Sequence, residues 1–212
     1  MLVTDRALVG GGPTDPSDGR LVEAVAAAVE GGVNAVQLRE KDLAPPDLTL
    51  LAGRLRAEIG DRALLIVNGN GDVAREVAAD GLHLPADAPF ARPDGVTLVG
   101  RSVHSVEAAV QAGREGADYV IAGPIYETLS HRGVAAAGVR LVSAVVAAVS
   151  IPVVAIGGIT AARVPDVLSA GAGGVAVISA ILGAKSPAAA ACALREALDA
   201  VPQRAGRAAV ER

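Results

Sequence analysis

Val154-Ala-Ile-Gly-Gly-Ile159 is an apolar strand pattern that runs straight into two glycines. Upstream, Ala117-Asp-Tyr-Val-Ile-Ala-Gly-Pro124 follows the same plan, and one pattern earlier Gly100-Arg-Ser-Val-His-Ser105 ends on a histidine. A short β-branched run, a glycine or polar turn and then a helical period make up a βα unit. Working outward from these three runs, the same pattern predicts strands at 2–4, 35–39, 64–68, 81–84, 97–100, 119–122, 153–156 and 174–178. Between them Leu21, Val25 and Val29 share a helical face, as do Leu48, Leu51, Leu55 and Ile59, and then Leu141, Val142, Val145 and Val149. Ser186-Pro187 reads as an N-cap followed by proline at the first helical position, and Gly31, Gly60 and Gly113 read as left-handed helix ends. Eight strands alternating with helices in about 200 residues is the count of a single (β/α)8 TIM barrel. The reading gives one domain over residues 1–200 and a frayed polar tail over 201–212. An open doubly wound sheet is the second choice. It lacks its dinucleotide turn, because Gly10-Gly-Gly-Pro13 stands several residues beyond the first strand and precedes no immediate helix.

The composition fits this architecture. Half of the 212 residues are apolar, yet there is no Trp, one Phe and two Tyr. The core is therefore built from Val, Leu, Ile and Ala, and alanine lets a helix lie close to a sheet. A net charge of −4 argues against nucleic acid or an anionic membrane as a partner attracted by the overall field. Cys192 is the single cysteine, which excludes an intrachain disulfide and suits a reducing compartment; Ala190-Ala-Cys-Ala-Leu194 reads as a helix face that packs it as a small apolar side chain. No basic and apolar leader opens the chain, and no run reaches ~18 apolar residues. The expectation is a soluble cytoplasmic protein, whose aliphatic barrel exterior permits a homo-oligomer.

Anion chemistry enters at the strand ends. Gly157-Gly158 follows the seventh strand, with Thr160 placed to cap the next helix, and Ser179 follows the eighth. In barrels these two loops commonly hold a phosphate through backbone N–H groups, and glycine lets the anion approach closely. The same glycines also suit a plain tight turn. On the second strand, alternation puts Ala35, Gln37 and Arg39 on one face, and a barrel-facing charge needs a partner, so Gln37 and Arg39 read as ligand contacts. Lys41, taken alone, reads as part of a solvated surface loop. His83 is open between a satisfied core histidine and a site residue. His104 lies just past the fifth strand, where barrel enzymes keep catalytic groups, and with an ordinary pKa near ~6.5 it can give and take a proton. It also fits a simple helix-entry residue. His131 and Arg132 lie in a long segment, 127–137, that reads as a flap or as a surface loop.

Taken in order, Val3-Thr-Asp5, Val36-Gln-Leu-Arg-Glu-Lys41, Gly81-Leu-His-Leu84, Ala117-Asp-Tyr-Val120, Gly123-Pro-Ile-Tyr126, Val154-Ala-Ile-Gly-Gly-Ile159 and residues 173–180 resemble the thiamine phosphate synthase/TenI superfamily over nearly the whole chain. The resemblance implies a (β/α)8 barrel, a role in thiamine metabolism, and a thiazole phosphate held at the seventh and eighth loops. One branch joins a pyrimidine pyrophosphate to a thiazole phosphate with Mg²⁺. The other, TenI-type, branch includes a thiazole tautomerase that aromatises a thiazole carboxylate phosphate by moving a proton.

The chain departs from the synthase pattern at three places. Asn68-Gly69 stands where that pattern has Asn-Asp. Ala88 stands where it has an aspartate five residues after the strand-four histidine, with Asp87 one residue early and Pro85 in place of a glycine. Glu127-Thr-Leu-Ser-His131 lacks the lysine of the synthase run. Mg²⁺ needs hard oxygen ligands and a pyrophosphate leaving group needs its charge neutralised. The expectation is therefore the tautomerase, an isomerase, with His104 as general base and acid. Gln37, Arg39, Lys41, Asn68, Ser102, Thr128, Gly157, Gly158, Ile178 and Ser179 are the substrate-binding candidates. This reading has no metal and no cofactor. Its alternatives are a thiamine phosphate synthase using Mg²⁺, and a non-catalytic binder or regulator that keeps the thiazole phosphate cradle.

Overall fold

A computed structural model describes residues 1–10, 19–128 and 135–201. Eight strands, β1 (Leu2–Val3), β2 (Ala35–Leu38), β3 (Leu64–Asn68), β4 (Gly81–Leu84), β5 (Leu98–Val103), β6 (Tyr119–Ala122), β7 (Val153–Ile156) and β8 (Gly174–Ala176), follow one another in sequence order, each parallel to its neighbour. The ring closes where Val3 N–H donates to Val177 O at 2.9 Å and Val177 N–H donates to Met1 O at 3.1 Å. This is the TIM barrel that the strand count requires.

Period-two alternation sorts the side chains. Val3, Ala35, Ile66, Tyr119, Ile121, Ala176 and Ile178 point inward and pack on one another as the barrel's own core. Val36, Leu38, Leu65, Val67 and Val99 point outward and join the helices in the larger core. The helices are α1 (Arg20–Glu30), α2 (Pro45–Ile59), α3 (Gly71–Glu76), α4 (Val106–Glu115), α5 (Val139–Ala148), α6 (Val164–Ser169), α7 (Ser179–Leu182) and α8 (Pro187–Asp199). Each longer helix buries the stripe its sequence carries, for example Leu48, Leu51, Leu55 and Ile59 on α2. Ser186 accepts from Ala189 N–H at 3.3 Å and Pro187 opens α8, as the sequence signals.

Several details differ from the sequence reading. No helix joins β4 to β5 among the described residues; turns and irregular backbone fill the gap, which holds Pro85, Pro89 and Pro93, and proline removes helix donors. β5 is longer than expected and runs on through Arg101, Ser102 and Val103, because Arg101 turns outward to Glu115 at 3.3 Å while Ser102 turns inward to His83. β1, β2 and β8 end short of Thr4, Arg39 and Ile178. Positive φ falls at Gly32, Gly60 and Gly116 rather than at Gly31 and Gly113. Cys192 is exposed, since α8 buries Ala191 and Leu194 instead. Residues 11–13 of the early glycine run, Ser130, His131 and Arg132 of the 127–137 segment, and the tail beyond 201 lie outside the described residues. No helix among the described residues is long and apolar enough to cross a membrane.

Candidate active site

The C-terminal ends of the strands open into a cavity of about 320 Å³. Its walls bring together Gln37, Arg39, Lys41, Asn68, Ser102, His104, Thr128, Gly157, Gly158, Ile178 and Ser179, together with His83 and Asp87. Every site residue singled out from the sequence faces this one space.

The glycine turn after β7 is built to offer donors. Its carbonyls are all engaged elsewhere. Ile156 O accepts from Ile125 N–H at 2.9 Å and Gly157 O accepts from Tyr126 N–H at 3.0 Å. Gly158 O accepts from the Arg163 guanidinium at 2.5 Å, and that guanidinium lies 4.4 Å above the Tyr126 ring. With three successive carbonyls held back, the turn shows its N–H groups to the cavity, as an anion site requires. Glycine is obligatory here: φ is 105° at Gly157 and 61° at Gly158, and a β-carbon on Gly158 would lie 2.5 Å from Glu127 O. Next door, Ile178 and Ser179 open α7, whose first N–H groups have no partner within the helix. Thr160, expected to cap the following helix, makes no side-chain cap bond there.

The cations follow β2. Arg39 N–H donates to Thr4 Oγ1 at 2.9 Å, which fixes the point where the strand gives way to loop. Behind the loop, Arg6 donates to Glu40 Oε2 at 3.2 Å and to Asp42 Oδ1 at 2.8 Å. Burial pushes the Glu40 carboxyl up from its ordinary value, whereas the hydrogen bond from Arg6 holds Asp42 down. This network anchors the segment that carries Arg39 and Lys41, and sequence reading missed it because its partners are 34 and 36 residues apart. Arg39 and Lys41 themselves have no ion-pair partner among the described residues, so their charge is available to a ligand. Gln37 is only 2 % exposed and its Nε2 has no hydrogen-bond partner among the described residues. Leaving such a donor unpaired in a buried position is costly, which points to a ligand acceptor.

His83 is a core histidine and a wall residue at once. It is 1 % exposed, with Nε2 at 2.8 Å from Ser102 Oγ and Nδ1 at 3.3 Å from Tyr119 Oη. Burial lowers its pKa to about 3, helped by the nearby Arg39 charge, so the ring is neutral at physiological pH. His104, by contrast, is exposed just beyond β5. Its Nδ1 lies 2.6 Å from Gly123 O, and a carbonyl only accepts, so Nδ1 carries the proton and Nε2 is the free acceptor in the neutral ring.

A synthase of this fold is expected to use Mg²⁺, and the donor set tests that expectation. No cluster of three or more His, Cys, Asp or Glu side chains is placed to hold a metal among the described residues. Asp87 supplies a carboxylate to the cavity wall and Asn68 an amide oxygen. Mg²⁺ keeps several waters and typically takes one or two carboxylates plus substrate phosphates. The residues fit an ion shared with a pyrophosphate; they do not make a cage for an ion held by protein alone.

Comparison with known proteins identifies the relatives. The family model described as thiamine monophosphate synthase matches residues 2–181. The thiamine-phosphate synthase of Methanoculleus marisnigri is 45% identical over 207 residues, spanning 94% of this chain and 94% of that protein. The thiamine-phosphate synthase of Pyrococcus abyssi is 40% identical, covering 85% of this chain and 89% of its own length. Among solved structures, the thiamine phosphate pyrophosphorylase from Pyrococcus furiosus superposes with a TM-score of 0.79 at 35% identity over 94% of both chains.

These relatives overturn the tautomerase reading and the isomerase class that went with it. The error was to treat the losses at Gly69 and Ala88, together with the lysine missing from Glu127-Thr-Leu-Ser-His131, as incompatible with Mg²⁺ and pyrophosphate. A metal that shares its ligands with the substrate's own phosphates needs fewer carboxylates than that argument assumed.

Proposed function

The chain belongs to the thiamine monophosphate synthase family, and from that premise we propose that it is a thiamine-phosphate synthase, a transferase that joins a pyrimidine pyrophosphate to a thiazole phosphate. The observation that carries the reading is the 45% identity to a protein of that name, over 94% of both chains. The cavity supports it: a backbone cradle after β7 and β8 suits one phosphate, and the cations after β2 suit a second, more highly charged anion.

In this reading the N–H groups of Gly157, Gly158, Ser179 and Ala180 hold the thiazole phosphate and so fix its ring. Arg39 and Lys41 receive the pyrophosphate. The Gln37 amide donates to the buried pyrimidine. The thiazole nitrogen lone pair forms a bond to the exocyclic methylene carbon of the pyrimidine, the bond from that carbon to the pyrophosphate oxygen breaks, and pyrophosphate leaves with the electron pair. Mg²⁺, held by Asp87 and Asn68, would neutralise charge on the departing pyrophosphate. No proton moves in this exchange, so His104 serves as an acceptor for ligand through Nε2 and not as a general base.

Incubation of the protein with hydroxymethylpyrimidine pyrophosphate, thiazole phosphate and Mg²⁺ is the test. Thiamine phosphate and pyrophosphate are expected in equal amounts. Tight binding of thiazole phosphate with no coupled product would overturn the transferase reading and leave a binder.

A further inference from the structure

The interior of the barrel holds one polar chain that the reaction above does not use: Tyr119, His83 and Ser102. Tyr119 is 8 % exposed and its hydroxyl has a single polar neighbour among the described residues, His83 Nδ1 at 3.3 Å. The His83 and Tyr119 rings are 5.7 Å apart and tilted by 33°. Gly100 makes room for this arrangement, since a β-carbon there would lie 2.0 Å from Tyr119 Cζ. On the far side, His83 Nε2 meets Ser102 Oγ at 2.8 Å, and Ser102 lines the cavity.

The direction of these hydrogen bonds follows from counting donors. A buried phenol must place its O–H on an acceptor, and the acceptor available is Nδ1. Nδ1 must then be unprotonated, so the proton of the neutral ring is on Nε2. The Nε2–H donates to Ser102 Oγ. Ser102 has used an acceptor lone pair, and its own O–H is left to donate into the cavity. Reversing the chain would strand the Tyr119 O–H without a partner. Burial also holds the Tyr119 hydroxyl above its ordinary pKa, which keeps it protonated and able to donate.

We infer that Tyr119 is a positioning residue: through His83 it fixes Ser102 as a one-way hydrogen-bond donor, aimed at an acceptor atom of the bound ligand. A free serine hydroxyl can turn to accept or donate. One whose orientation is set in advance binds a lone pair or an anionic oxygen at lower reorganisation cost. The identity of that acceptor as part of the pyrimidine pyrophosphate rests on the synthase reading; the polarity of the chain does not.

Two measurements test the inference separately. The first is ¹⁵N NMR of the histidine rings, with His83 assigned by comparison with His83→Gln. Between pH 5 and 8 the wild-type ring is expected to show an unprotonated Nδ1 and a protonated Nε2, and Tyr119→Phe is expected to lose that preference. A protonated Nδ1 in the wild type overturns the inference whatever the protein catalyses. The second is a double-mutant cycle on thiamine phosphate formation. Ser102→Ala and Tyr119→Phe are each expected to lower kcat about tenfold, the scale of one hydrogen bond to a charged acceptor. KM for thiazole phosphate should stay within about twofold in both. The double variant should be no slower than Ser102→Ala. Losses that multiply would show that Tyr119 acts by packing alone and would overturn its positioning role. If the wild type forms no product, the synthase reading fails while the NMR result still decides the polarity.

Discussion

The two rims of the cavity present their polar groups by different means. After β7 they are backbone: Ile156, Gly157 and Gly158 give their carbonyls to Ile125, Tyr126 and Arg163, and in the proposed reading no side chain need touch the phosphate. After β3 and β4 they are side chains: Asn68 and the exposed Asp87 line the cavity, and Asn68 is followed by a glycine, Gly69, whose φ is 75°. The first rim is over-determined, because each glycine is needed both for its left-handed backbone and for clearance. The second is under-determined, because a β-carbon on Gly69 would meet only Pro85, at an ordinary 3.8 Å. A rim made of backbone shows in sequence as fixed glycines. A rim made of side chains can lose ligands without losing shape, and counting what it lost says little about what the protein does.

The largest expected effect comes from breaking the backbone rim. Gly158→Ala places a left-handed alanine against Glu127 O, at a cost on the order of 2–4 kcal/mol from strain and overlap together. KM for thiazole phosphate is expected to rise about 100-fold, the equivalent of roughly 2.7 kcal/mol. The far-UV circular dichroism spectrum should remain that of the wild type. A KM within threefold of wild type would show that the phosphate lies elsewhere.

The side-chain rim has a buried member, and pH separates it from the exposed ones. The His83 pKa is lowered in the fold to about 3 from an ordinary 6.5. Between these values the unfolded chain binds the proton and the native one does not, so stability falls as pH falls. The contribution is complete above about pH 6.5 and is lost at about 1.4 kcal/mol per pH unit on the way down. Urea unfolding between pH 7 and 5 is expected to show this slope in the wild type and a shallower one in His83→Gln. Equal slopes would mean that His83 protonates readily in the native state.

Asp87→Asn tests the exposed part of the same rim. The Mg²⁺ concentration for half-maximal activity is expected to rise about tenfold, as for loss of a carboxylate from a site completed by substrate phosphates. KM for thiazole phosphate should not change. An unchanged Mg²⁺ requirement would remove Asp87 from the site.

The same contrast explains what was legible in the sequence. Eight parallel strands were legible because each carries a β-branched run closed by a turn, and Gln37 and Arg39 were legible because alternation puts them on the inner face. Ser102 was named only through the family resemblance; the strand pattern did not show its inward turn, since Gly100-Arg-Ser breaks the apolar run and ends the expected strand early. The partners of His83 lie 36 and 19 residues away, and no local pattern pairs them. The Arg6–Glu40 bridge is likewise non-local, so no sequence pattern marks Glu40 as buried. The reaction class was misread at Gly69, at Ala88 and at the lysine missing from Glu127-Thr-Leu-Ser-His131, where absent side chains were given more weight than the residues around them.

Gly69→Asp sharpens the comparison from the other direction and carries the smallest expected effect. Asparagine and aspartate tolerate left-handed φ better than other side chains, so the 75° backbone can accept the change. The neighbouring contact is with Pro85 at 3.8 Å, which leaves room for a carboxylate beside Asn68. A second hard oxygen ligand at a site that already shares the ion with pyrophosphate should lower the half-maximal Mg²⁺ concentration about threefold. Combining it with Asp87→Asn should recover part of the loss that the single variant suffers, because the two carboxylates would serve the same ion. If Gly69→Asp instead weakens Mg²⁺ dependence or leaves Asp87→Asn unrescued, the metal does not lie at the β3–β4 rim, and the rim's carboxylate has some other partner. Either result leaves the backbone cradle untouched, which is what separates the two rims.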